Sequence, residues 1–139
     1  MRKNTFIKEE RLCNNRFIQN LFHQGSSFVL YPFRLVFSET PVPENTSSSM
    51  VKVLITVPKR KIRKAAHRNL VKRRIREAYR HHKGELFDSM RESDLPPFNL
   101  AIQYLSSEIL DYELISSKLL DALNKVNHEY TKLYLGENH

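Results

Sequence analysis

Residues 59–83, KRKIRKAAHRNLVKRRIREAYRHHK, hold twelve of the chain's 23 Lys and Arg residues and a single acid, Glu77, for a local net charge of +11. The other 114 residues carry eleven basic and fourteen acidic side chains, a net −3, so the overall +8 belongs to one segment. Like charge at this density cannot enter a core strand, and its repulsion calls for an anionic partner. A helix reconciles it with a folded domain. At 100° per residue, Val71, Ile75, Ala78, Tyr79 and His82 gather within an arc of roughly 100° and face a core. Asn69, Lys72, Arg73, Arg76 and Arg80 gather in another such arc, with Arg68 at its edge, a flank able to track several phosphates. Arginine outnumbers lysine here, and its planar guanidinium binds phosphate through two hydrogen bonds and stacks on unpaired bases. Solvated helix faces usually alternate in sign, and a membrane-surface helix needs bulky apolar anchors on a face that this segment requires for its core.

The rest of the chain narrows the setting. Its 139 residues fit one domain with one core. The longest apolar run, Phe28 to Tyr31, is far short of the roughly 20 residues of a membrane span. No apolar stretch of signal-peptide length follows the basic start Met1-Arg2-Lys3-Asn4-Thr5, so a cytoplasmic location is expected. Cys13 stands alone, which leaves no internal disulfide and no thiolate cage, and reads as a small packing residue. His81 and His82 diverge on a helix, while His23 and His67 have no carboxylate or cysteine at metal-ligand spacing. Glu85, Asp88, Glu92 and Asp94 show no spacing that defines an acid-base dyad, and the only glycines, Gly25, Gly84 and Gly136, build no phosphate-cradling loop. Neither catalytic side chains nor a metal site is expected.

Periodicity supplies the elements. Leu12, Ile18, Leu21 and Phe22 predict an amphipathic helix over 12–24, capped by Asn14 or Asn15 and closed by Gly25. Phe28 to Tyr31 and Phe33 to Ser38 read as strand, broken or bulged at Pro32 on a sheet edge. Residues 39–49, ETPVPENTSSS, read as a flexible loop within the domain. Val51 to Val57 alternates as a strand and ends at Pro58. The basic helix is expected over 62–83, stopped by Gly84, with an acidic connection over 84–97. Phe98 to Tyr104 is another strand, and Asp111 caps a last helix whose stripe, Ile115, Leu119, Leu123, Val126, Tyr130 and Leu133, is wide enough to cover a sheet. Frayed ends are expected at 1–8 and 134–139. Lys52, Leu54 and Thr56 on one strand and Asn99, Ala101 and Gln103 on the next predict a second sheet face left partly open as a groove floor.

The order of elements and the residues meet in a known family. Pro58-Lys59-Arg60-Lys61, followed by Ala65-Ala66-His67-Arg68-Asn69-Leu70-Val71-Lys72-Arg73-Arg74-Ile75-Arg76-Glu77-Ala78-Tyr79-Arg80, resembles the most characteristic stretch of the bacterial ribonuclease P protein subunit. The resemblance spans roughly residues 10 to 130, with Phe22-His23-Gln24-Gly25 matching upstream. It implies an α+β fold, a single two-layer sandwich in αβββαβα order like the second domain of a small-subunit ribosomal protein, with a left-handed βαβ crossover. It implies no catalytic side chain on the protein: the RNA subunit, using Mg2+, removes the 5′ leader of precursor tRNA. The partners implied are ribonuclease P RNA and precursor tRNA, with no membrane and no small-molecule substrate. The RNA contacts implied are Arg60, Lys61, Arg68, Asn69, Lys72, Arg73, Arg76 and Arg80. A leader cleft between the first helix and the open sheet face would involve Ile18, Phe22, Val36 and Lys52.

This chain departs from the family pattern in places. Leu70 stands where the motif's second arginine is usual, Arg63-Lys64 replaces a Gly-Asn before the helix, and two cleft aromatics fall on Ile18 and Val36, beside Phe17 and Phe37. The competing reading is a non-enzymatic structured-RNA-binding protein, such as a ribosomal or ribosome-assembly protein. It shares the basic helix and differs in the groove.

Overall fold

The structure, a computed structural model, describes residues 11–40 and 51–136. The first helix, α1 (Asn15–Gln24), starts where the Asn14 side chain accepts hydrogen bonds from the backbone N–H groups of Arg16 and Phe17, at 2.9 and 3.3 Å. It therefore begins later than the apolar spacing suggested. Leu12 lies in an extended lead-in, buried, with its N–H donating to the Val53 carbonyl at 2.9 Å. Cys13 is exposed, which corrects its reading as a packing residue. Gly25 closes α1 by donating to the Leu21 carbonyl at 2.8 Å.

Pro32 does not break a strand. It sits in a two-residue turn, after a cis Tyr31-Pro32 bond, between β1 (Ser26–Leu30) and β2 (Phe33–Glu39), which pair antiparallel with Leu30 opposite Phe33. Of the segment expected to be a loop, Glu39 completes β2, and Thr40 is buried, its N–H donating to the Pro97 carbonyl and its hydroxyl to Asn99 Oδ1. The rest of that segment, and the end at 1–8, lie outside the described residues.

β3 (Val51–Thr56), α2 (Ala65–Glu92), β4 (Phe98–Tyr104) and α3 (Tyr112–Gly136) follow, and the sheet order is β1-β2-β4-β3 with only β3 and β4 parallel. α2 is longer than expected and passes straight through Gly84, so most of the supposed acidic connection is helix. Leu86 and Met90 continue the buried stripe of Val71, Ile75 and Tyr79. Burying two such side chains is worth about 1.5–3 kcal/mol each, against about 1 kcal/mol for a glycine in mid-helix. The chain turns only at Asp94, in a left-handed conformation (φ 53°), where the Leu95 N–H donates to the Met90 carbonyl at 3.0 Å. Asp111 caps α3 as expected, accepting from the Leu114 N–H at 2.9 Å. α3 runs on through Gly136, so its helix includes the start of the end expected to fray, while Leu133, the last residue of its stripe, is exposed.

The crossover from β3 through α2 to β4 has an uncommon hand. Val53 packs in the core beside Val71 and Ile75, and its carbonyl points to Leu12, away from β4. For an L-residue seen from the helix side with β3 running upward, that carbonyl lies to the right and β4 therefore to the left. α2 passes in front of the sheet to the left-hand neighbour, a left-handed crossover, where nearly all such connections are right-handed.

Two layers result. α2 and α3 cover one sheet face, sealing Phe33, Leu35, Val53, Phe98, Leu100, Ile102 and Tyr104 beneath Ile75, Tyr79, Ile115, Leu119 and Val126. On the other face α1 lays Leu21 over Val36 and Ala101, with Leu12 beside them, as a smaller second core. The face expected to be open is thus roofed at its centre and exposed on either side of α1.

Candidate nucleic-acid interface

The basic segment begins with a turn that presents its cations outward. The Pro58 carbonyl accepts from the N–H groups of Lys61 and Ile62 at 3.0 and 3.1 Å, and Ile62 is buried as the anchor, while Lys59, Arg60, Arg63 and Lys64 are exposed. No glycine is required before the helix, because the N-cap residue Lys64 is extended (φ −80°, ψ 129°), a conformation open to any side chain. α2 has no side-chain cap and no acid in its first turn. Its N-terminal N–H groups carry partial positive charge, and a nearby cation costs about 0.3–1 kcal/mol where an anion gains as much. Arg63, Lys64 and His67 crowd that end, an arrangement that favours bound phosphate.

Along α2, the cations divide by what they touch. Asn69, Arg73 and Arg76 are exposed and Lys72 is half-buried, and among the described residues these three cations make no ion pair. Arg68 Nη1 donates to the carbonyls of Ile62 (3.0 Å) and Arg63 (2.6 Å), strapping the basic turn to the helix. Arg80 pairs with Glu77, whose carboxyl is held below its ordinary range chiefly by that hydrogen bond. Two further members of the +11 segment face inward: Arg74 donates to the Leu110 carbonyl at 2.6 Å, and Lys83 is buried. His82, half-buried, lies 2.8 Å from the Ser116 hydroxyl, on the core side expected of it.

Lys72 and Arg76 also overhang a hollow of about 320 Å³ at the edge of β3, lined by Arg11, Leu12, Cys13, Val53, Leu54 and Ile55. The cationic flank therefore continues onto the sheet edge, and Arg11 joins it although its position in the sequence gave no sign of this.

The remaining sheet face divides into rows. Val29, Arg34, Gln103 and Thr56 are cross-strand neighbours in one, and Ser38, Asn99 and Lys52 in another, with Val36 and Ala101 between them beneath α1. Phe17, Asn20 and Gln24 on α1 border the hollow beside Ser38 and Asn99. Helix geometry places Ile18 and Phe22 on the opposite flank, above the Arg34 row. Phe22 is 37 % exposed and Ile18 half-buried, so both can line a groove there. Val36 cannot: at 1 % exposure it lies under Leu21, and its assignment to a cleft wall is corrected. Lys52, half-buried, belongs to the Ser38 row and not to the Arg34 row. The residue that sequence reasoning missed is Arg34, whose Nη1 donates to Gln103 Oε1 at 2.7 Å. A lone cation inside Phe33-Arg34-Leu35-Val36-Phe37 was the available signal.

Among the described residues, no group of three or more His, Cys, Asp or Glu side chains could hold a metal ion, and no helix is long and apolar enough to cross a membrane.

Compared with known families, residues 6–127 match the model of the family described as Ribonuclease P. The chain belongs to the ribonuclease P protein family. A ribonuclease P protein component from Porphyromonas gingivalis is 34% identical over 119 residues, covering 86% of this chain and 84% of that protein. The fold agrees with the solved RNase P proteins of Thermotoga maritima (TM-score 0.63, 23% identity, 84% of this chain and 96% of that one) and Staphylococcus aureus (TM-score 0.62, 19% identity, 84% and 94%). Membership in the ribonuclease P protein family makes the chain the protein component of an endoribonuclease. Leu70, where the resemblance led us to expect a second motif arginine, is half-buried beside Val71 and adds no cation to the flank.

Proposed function

We propose that the α2 flank binds the catalytic RNA subunit of ribonuclease P, and that the groove beside Ile18 and Phe22 receives the 5′ leader of precursor tRNA. The observation that carries this reading is the continuity of the cationic surface. Arg73 and Arg76, without ion pairs among the described residues, lead through the hollow under Lys72 to the edge of a sheet whose outer face is partly uncovered. A continuous cationic track suits two RNA elements that must be held together, and each phosphate neutralised releases counterions. On this reading the RNA subunit holds the Mg2+ of the reaction. What the protein adds is fixed positive charge beside the substrate, which raises affinity for precursor tRNA and lowers the magnesium demand. The setting is the cytoplasm.

The test compares precursor tRNA with mature tRNA for binding to the complex of this protein and its cognate RNA. Tighter binding of the precursor, dependent on the protein, supports the reading. Equal binding of the two contradicts it.

A further inference from the structure

Arg34 and Gln103 are directly opposite on neighbouring strands, Thr56 follows Gln103 in the same row, and all three project on the face away from α2 and α3. Arg34 Nη1 donates to Gln103 Oε1 at 2.7 Å, and both side chains are only half-buried. That bond has two effects. It orients the guanidinium on the floor of the groove, and it takes one of the two lone pairs of Gln103 Oε1, the pair's only acceptor atom, so what the pair still presents to solvent is mostly hydrogen-bond donors. The Thr56 hydroxyl oxygen, next in the row, is buried and has no hydrogen-bond partner among the described residues, so it presents nothing to the groove. Apolar surface flanks the donors: Phe22 and Ile18 from α1 and Val29, 58 % exposed, from β1.

We infer that Arg34, oriented by Gln103, is a specificity-determining residue that reads a single unpaired guanine in the leader. This rests on the proposal that the leader crosses this face. A donor-rich site favours a base edge with two adjacent acceptors, and guanine offers O6 and N7 to a guanidinium. The exocyclic amines of adenine and cytosine need an acceptor, and the pair's one acceptor atom is already engaged by Arg34. Phosphate would satisfy the same donors, but the neutral amide and the apolar flanks suit a flat base more than a charged, hydrated group.

The experiment uses the holoenzyme reconstituted with its cognate RNA and precursor tRNAs whose uridine leaders carry one guanosine at successive positions. Wild type binds one of these registers about tenfold more tightly than the all-uridine leader, the discrimination of a good bidentate contact. Arg34→Lys, which keeps the charge, and Gln103→Leu, which keeps Arg34 but frees its plane, both flatten the profile while leaving the salt dependence as in wild type. A flat profile in wild type overturns the inference, as does a preference that survives Arg34→Lys. So does a uniform loss across all leaders on Arg34→Ala with a salt slope smaller by about one, the mark of a phosphate contact. Failure of the leader reading itself is separate: wild type would then bind precursor and mature tRNA alike.

Discussion

The Arg68 guanidinium donates to the carbonyl of Arg63 at 2.6 Å, so a cation expected to face RNA also holds the basic turn against the helix that follows it. With the second bond, to Ile62, it fixes where Arg60 and Lys61 project. Arg68→Ala should lower stability by about 1–2 kcal/mol, the scale of hydrogen bonds from a charged donor that is partly exposed. Arg68→Lys should not restore it, since an ammonium lacks the planar fork. Arg73→Ala, by contrast, should stay within about 0.5 kcal/mol of wild type in urea denaturation yet weaken RNA binding and reduce the salt slope by about one.

Two glycines should respond to alanine in opposite directions. A Cβ on Gly25 would sit 2.4 Å from the Leu21 carbonyl oxygen and 2.9 Å from Val36 Cγ1, so Gly25→Ala forces α1 off the second core and should cost about 1–3 kcal/mol. At Gly84 a Cβ meets nothing within 4 Å inside a continuous helix, and Gly84→Ala should stabilise by about 0.5–1 kcal/mol. Thermal denaturation of the two variants checks both signs.

Glu77 restrains Arg80. Its folded pKa lies below the ordinary carboxylate value, so its contribution to stability is present above the unfolded pKa and is lost as pH falls through the lowered one. The pair is exposed enough that this loss is small. The larger consequence is for binding: Glu77→Gln should tighten RNA binding and steepen its salt dependence by about one counterion, measured by titration at several salt concentrations.

Much of this was legible in the sequence, and the misreadings have physical causes. β3 and β4 were recognisable because Val51 and Val53, then Phe98, Leu100, Ile102 and Tyr104, alternate against one buried face. α2 was cut short because Gly84 looks like a stop, and only the tertiary burial of Leu86 and Met90 carries the helix past it. Pro32 between two aromatic runs is compatible with a kinked edge or a hairpin, and pairing across the strands decides it. The cationic flank followed from helical spacing, but spacing does not show that Arg68 and Arg74 reach backbone carbonyls or that Lys83 is buried. Val36 and Arg34 alternate on one face of one strand, and which of them α1 covers depends on where a separate element lands.

Precursor tRNA processing with the cognate RNA subunit at low magnesium, with and without the protein, shows whether this chain lends positive charge to the cleavage. The protein should restore cleavage that the RNA alone loses as magnesium falls, and Lys72→Ala with Arg73→Ala should shift the requirement back towards higher magnesium. Cleavage unchanged by the protein at every magnesium concentration would contradict that role.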